Sequence, residues 1–198
     1  MKLRKSPPLA GLKSLRRARI TGNKVRLREK KMSDVRVDYK WQMDAELSRL
    51  DAAEQISLPF SFYLLDYAAE LHRPRSRRFP LAIETLAGRH IGNFTVYDID
   101  DDKAEAQVGI MIGDRDYWDR GYGADAISAV ADHLFRSTSL VRLYLKTLDW
   151  NTRAQKCFAR SGFTTCGGMS RNGHNFLLME LTREQWEERR GSDPARAE

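Results

Sequence analysis

Asp119-Arg120-Gly121-Tyr122-Gly123-Ala124 stands between an apolar, β-branched run and a strongly helical one, and that position decides how the rest of the chain is read. Upstream, Val108-Gly109-Ile110-Met111-Ile112 is short and apolar, and Gly113-Asp114 punctuates it as a strand end. Downstream, between Ala124 and Phe135, Ile127, Val130, Ala131 and Leu134 recur at helical spacing and form one apolar stripe. Strand, glycine loop and helix therefore follow in succession. The first N–H groups of a helix lack internal partners and lie at the positive end of its dipole, so glycines there admit an anion such as a diphosphate. A Rossmann fingerprint is not met, because position 126 is Ala and no leading βαβ unit accompanies the loop. A Walker loop needs Gly-Lys-Ser/Thr, which is absent. Taken alone, Gly-x-Gly also fits a plain loop-to-helix turn.

Further along, Val141-Arg142-Leu143-Tyr144-Leu145-Lys146-Thr147-Leu148 alternates strictly, as a strand with one buried face does. Asn151-Thr152-Arg153-Ala154 then opens a helix through Arg160, and Ser161-Gly162-Phe163 closes it with glycine at the left-handed position. In this arrangement the chain resembles the GNAT superfamily of N-acetyltransferases, whose core reads Arg/Gln-x-x-Gly-x-Gly/Ala, helix, strand, Asn-x-Arg-Ala and Gly-Phe. Two further segments resemble the RimJ/RimL-like branch. Val25-Arg26-Leu27-Arg28, Ser33-Asp34 and a helical run with Trp41 match its opening, while Phe79 to Glu84 and His90 to Phe94 match its central hairpin, turning at Ala87-Gly88. The similarity covers about residues 24–182.

The coarse pattern is a mixed α/β fold of the α+β kind. Strands are expected near 24–30, 78–85, 90–98, 104–112, 141–148, 163–169 and 174–181, with helices near 34–49, 61–72, 123–137 and 152–160. Thr182-Arg183-Glu184-Gln185 has capping-box spacing for a last short helix carrying Trp186. The resemblance implies a GNAT-like acyl-CoA N-acyltransferase fold: about seven mostly antiparallel strands, splayed between the fourth and fifth, with acetyl-CoA in the gap. The expected organisation is a basic tail at 1–22, the acetyltransferase domain at 23–187 and a C-terminal tail at 188–198.

Charge separates the tail from the rest. Residues 1–20 hold Lys2, Arg4, Lys5, Lys13, Arg16, Arg17 and Arg19 with no acid, which equals the +7 of the whole chain. The remainder is formally neutral, so the basic balance does not argue a basic site. The segment is expected to be disordered or transiently helical. A transit peptide, or an arm making weak RNA or ribosome contact, also fits it. No stretch is apolar enough for a membrane span. Cys157 and Cys166 make neither a disulfide framework nor a four-ligand metal set, and a reducing cytoplasm is the simplest location. His72, His90, His133 and His174 show no ligand spacing, so no metal is expected.

Amine acetylation by direct attack on a thioester requires cofactor positioning, an oxyanion donor and removal of a proton. By resemblance, the backbones of Met111 and Ile112 pair with the pantetheine arm, and Arg120, Gly121, Tyr122, Gly123 and Ala124 wrap the pyrophosphate. Asn151 matches an asparagine near the cofactor arm and equally suits the N-cap of its helix. Arg115 and Arg153 are each either phosphate contacts or surface charges. The place where many relatives carry a carboxylate base falls on Gln107, which takes no proton at neutral pH. Glu105, two residues earlier on the same strand face, is the nearest carboxylate for direct or water-mediated proton removal; an exposed hairpin charge is its other reading. The usual acidic tyrosine aligns with Phe158, which offers shape without a proton.

The resemblance thus implies an acetyl-CoA-dependent N-acetyltransferase for a primary amine: a protein N-terminus, a polyamine or another small amine. Trp41, Tyr63, Tyr67 and Tyr97 are candidate acceptor-pocket residues, and core packing explains them as well. The Asp98, Asp100, Asp101 and Asp102 turn either attracts a cationic amine or is simply solvated. An acetyl-CoA sensor with little turnover and an RNA- or ribosome-associated protein are the alternatives. A homodimer is left open.

Overall fold

The computed structural model describes residues 19–72 and 77–191 together with Leu12 and Leu15. Eight strands form one sheet among these residues: β1 (Ile20–Thr21), β2 (Val25–Glu29), β3 (Phe79–Thr85), β4 (His90–Asp100), β5 (Glu105–Ile112), β6 (Arg142–Leu148), β7 (Thr164–Arg171) and β8 (His174–Thr182). Their order across the sheet is β1-β2-β3-β4-β5-β6-β8-β7. Every neighbouring pair is antiparallel except β5 and β6.

That exception shapes the molecule. β5 and β6 pair only at Glu105 with Arg142, Ala106 with Leu143 and Gln107 with Tyr144. Beyond Gln107, β5 stays with β4 as far as Ile112 opposite Gly92, while β6 stays with β8 as far as Leu148 opposite Phe176. The sheet therefore forks between them. These are the fourth and fifth strands expected from the sequence, renumbered because the short β1 precedes them.

The helices are α1 (Val35–Gln42), α2 (Ala45–Leu50), α3 (Phe60–His72), α4 (Tyr122–Ser137), α5 (Thr152–Arg160) and α6 (Arg183–Gly191). The single helix expected over 34–49 is two. Asp44 adopts an extended backbone and its side chain accepts the N–H groups of Glu46 and Leu47, starting a new helix where the old one ends. α1 and α3 meet through Tyr39, whose ring lies 5.2 Å from both Phe60 and Tyr63. The stripe read from the sequence faces inward on α4, with Ile127, Val130, Ala131 and Leu134 at 2 % exposure or less. At the chain's far end the capping box forms: the Thr182 N–H donates to Gln185 Oε1 at 2.8 Å, and the Gln185 N–H to Thr182 Oγ1 at 3.2 Å.

Both expected boundaries shift. Ile20 pairs with Leu27, and Leu12 and Leu15 are fully buried in the main core, so part of the 1–22 segment belongs to the folded domain. The burial of two leucines there outweighs the basic composition around them. α6 runs past 187 to Gly191, where Arg189 reaches back to the Arg160 carbonyl at 3.1 Å. The remaining cations of the basic segment except Arg19, and with them the expected RNA or ribosome contact, lie outside the described residues.

Candidate active site

The fork opens a cleft of about 320 Å³. One wall is β5 from Ile110 to Ile112, the other is α5, and the ends are the first turn of α4 and the last turn of α2. Gly121 stands before α4 with φ +82°, a left-handed conformation that favours glycine, and Asp119 is left-handed as well at φ +56°. The loop is held from behind. The Asp125 carboxylate accepts the backbone N–H groups of Asn23, Lys24 and Val25 at 2.8–3.1 Å, and Lys24 Nζ donates to the Arg120 carbonyl at 2.9 Å.

Seven of the expected cofactor residues line this one cleft: Met111, Ile112, Gly121, Gly123, Ala124, Asn151 and Phe158. Arg120 and Tyr122 do not. Arg120 is exposed, and the Tyr122 ring packs edge-on against Tyr117 at 4.9 Å with the Lys24 ammonium 5.5 Å from its centre. Asn151 caps α5 and lines the cleft. Its Oδ1 accepts the Ala154 N–H at 3.2 Å as an N-cap, and its Nδ2 donates to the Leu50 carbonyl at 3.5 Å, reaching the end of α2.

Positive charge gathers on α5. Arg153, Lys156 and Arg160 all line the cleft, on one side of the helix, and among the described residues none is ion-paired. Arg153 lies 3.4 Å over the Trp118 ring, and Trp118 Nε1 donates to the Ile112 carbonyl at 2.6 Å. Arg115, by contrast, is spent on Asp44 and Glu46, both at 2.8 Å, with nearly half of its side chain still exposed. Cys157 borders Gly123, and burial pushes its thiol up to about 11.

Glu105 does not reach the cleft. It sits at the closed end of the fork, where its carboxylate meets Arg142 at 2.7 Å and Lys103 at 3.9 Å. Sharing a strand face with Gln107 was not enough, because the strands are still paired at 105 and part only after 107. Gln107 itself is buried at the fork. Its Nε2 donates to the Tyr97 hydroxyl at 2.7 Å, and its Oε1 has no partner. β4 bulges just beyond Tyr97, with Asp98 at φ +47°, a device that re-aims side chains beside a site.

Asp51 is the cleft residue the sequence did not disclose. It follows α2 as its C-cap, lines the cleft and is exposed to solvent, while desolvation beside the cleft residues pushes its carboxyl up to about 6, with Arg78 opposing. A carboxylate at a helix C-terminus is also disfavoured by the dipole, and that was the one faint signal available. The candidate aromatic residues divide. Trp41 packs on His90 at 4.9 Å and against Gly113, and Tyr67 donates to Asp38 at 2.8 Å within the α1–α3 packing. The acidic segment is a turn in which Asp100 accepts the N–H groups of Asp102 and Lys103. Among the described residues no group of three or more His, Cys, Asp or Glu is placed to hold a metal, and no helix is long and apolar enough to cross a membrane.

Comparison with known proteins agrees with this fold. Residues 24–164 match the acetyltransferase (GNAT) domain. The chain is 28 % identical over 90 residues to a probable spermine N(1)-acetyltransferase of Bacillus subtilis subsp. natto (strain BEST195), covering 46 % of this chain and 59 % of that protein. It thus spans about three fifths of the length of the curated relatives it matches. Among solved structures, AAC(6')-Ib in complex with ribostamycin and coenzyme A superposes with a TM-score of 0.72 at 18 % identity, covering 85 % of this chain and 98 % of that one. Mycobacterium smegmatis RimJ in complex with CoA-disulfide gives 0.69 at 20 % identity, covering 81 % and 83 %. With the family match spanning well over half of its length, the chain belongs to the GNAT acetyltransferase family.

Proposed function

We propose that this protein is an acetyl-CoA-dependent N-acetyltransferase that acetylates a primary amine by direct attack. One observation carries the reading: β5 and β6 separate after Gln107 and Tyr144, and the released edge of β5 faces a cleft that ends at the N-terminus of α4. A pantetheine arm extends along that edge at Met111 and Ile112 as an added strand would. The pyrophosphate meets the first-turn N–H groups from Gly121 to Ala124, with Arg120 and Tyr122 supporting the loop from outside. Lys156, Arg160 and the stacked Arg153 add charge to the same anion. Asn151 and Phe158 bound the thioester end.

Holding amine and thioester in line contributes about 7–11 kcal/mol of barrier lowering in favourable cases, so a site built mainly for positioning suffices for turnover. The curated relative named for spermine makes polyamines the first acceptors to assay, ahead of aminoglycosides and peptide N-termini. The RimJ/RimL-like branch, a cytoplasmic location, an RNA or ribosome contact through the basic N-terminal residues and a homodimer belong to the same proposal.

The test is calorimetry with acetyl-CoA followed by thiol release across an amine panel. Saturable binding with turnover on at least one amine is expected. No heat with any acyl-CoA overturns the reading. A second reading, a binding-only sensor, is favoured by Gln107 and Phe158 standing where relatives carry titratable groups. Binding without turnover on any amine would select it.

A further inference from the structure

Two carboxylates line the cleft: Asp119, in the loop before α4, and Asp51, at the end of α2. Asp119 sits beside the amides proposed for the pyrophosphate, where a proton acceptor serves no purpose. Asp51 lies elsewhere. The groups close enough to interact with it electrostatically are Arg78, just ahead of β3, and Tyr97 on β4, whose ring centre lies 5.8 Å from the Arg78 guanidinium. Tyr97 in turn accepts the Gln107 amide at the fork, and Gln107 Oε1 stays buried with nothing to receive. The adjoining Leu50 carbonyl is tied to Asn151 across the gap, so the end of α2 is anchored to α5.

We propose that Asp51, brought in from α2 across the cleft, takes the proton from the acceptor nitrogen and thereby replaces the strand carboxylate that Gln107 lacks. This rests on the acetyltransferase reading. As the neutral amine nitrogen bonds to the thioester carbonyl carbon, its N–H becomes acidic and passes to the Asp51 carboxylate. The C–S bond then breaks, and sulfur departs as the thiolate. The thiolate takes up that proton through solvent, leaving amide, free thiol and Asp51 ionised again.

No other group in the cleft does this as well. Glu105 is ion-paired outside it, Gln107 and Phe158 do not titrate, and the half-buried Cys157 thiol, pushed up by desolvation, stays protonated at neutral pH. Asp51 lines the cleft from the end of α2, and desolvation there raises its carboxyl to about 6: ionised at pH 7, yet a stronger acceptor than an ordinary carboxylate. Tyr97, pushed up to about 12 by burial and by Asp51, remains a neutral donor that can orient the carboxylate through water.

The experiment compares wild type, Asp51→Asn and Asp51→Glu on the best acceptor from the amine panel, reading kcat against pH and acetyl-CoA Kd by calorimetry. Wild-type kcat should rise with pH through about 6, because the active form is the deprotonated one. D51N should lower kcat by about 10²-fold or more and lose that limb, with Kd within about threefold of wild type; D51E should recover part of the rate. Retained Kd shows that the variant is folded. A D51N enzyme with kcat within about threefold of wild type and an intact acidic limb overturns the role of Asp51 while leaving the acetyltransferase reading standing. Wild type that turns over no amine removes that reading, and this proposal with it.

Discussion

Arg153 lies 3.4 Å over the ring of Trp118, and through that contact α5 is clamped to the end of β5 across the mouth of the cleft. The indole is held at its other edge by its own hydrogen bond to the Ile112 carbonyl. A cation over a tryptophan face contributes about 0.5–2 kcal/mol depending on how far it is desolvated. W118A and R153A should each weaken acetyl-CoA binding roughly three- to tenfold. The double mutant should fall short of additivity by about 0.5–1 kcal/mol. Calorimetry on the four proteins checks this, and strict additivity would show that the two side chains act separately.

Leu15 tests whether the basic segment is merely a tail. It is fully buried in the core, so L15A should cost about 2–5 kcal/mol in urea unfolding. Removal of residues 1–20 would take away Leu12, Leu15 and Ile20 together and should leave a poorly folded domain. Unchanged unfolding midpoints for both proteins would return the segment to the status of a detachable arm.

Glu105 separates a structural carboxylate from a reacting one. Its partner Arg142 also engages Glu180 at 2.5 Å, so the three side chains tie β5, β6 and β8 together at the closed end of the fork. Glu105→Gln should lower stability by about 1 kcal/mol or less, since the pair is partly solvated. Thiol release should be unaffected. A large fall in kcat in E105Q with normal stability would restore Glu105 to the reaction.

The two cysteines should differ sharply toward iodoacetamide at pH 8. Cys166 is exposed, whereas Cys157 is half-buried and its thiol is pushed up to about 11, leaving almost no thiolate. Peptide mass mapping should find Cys166 labelled first. Raising the pH toward 11 should accelerate Cys157, and saturating acetyl-CoA should protect it. Equal rates at pH 8 would contradict the burial of Cys157.

Much of the fold was legible because its signals are local. Alternation gave Arg142–Leu148, three- and four-residue spacing gave the buried face of α4, and Thr182 with Gln185 announced the last helix three residues apart. Asp44 splits the first helix by an N-cap that an aspartate inside a helical pattern does not advertise. Tail composition likewise concealed Leu12 and Leu15, whose burial depends on a core assembled from residues far along the chain.

On its own, the sequence determined the glycine loop before α4, the Asn151 cap and the Gly162 stop, since each is set by backbone chemistry within a few residues. Tertiary structure alone decided which carboxylates line the cleft. Which carboxylate lines the cleft depends on the residue at which two strands part, and on the end of α2 reaching the same cleft. That is why Glu105, near the right strand position, is locked in an ion pair, and why Asp51, distant in sequence, stands in the cleft.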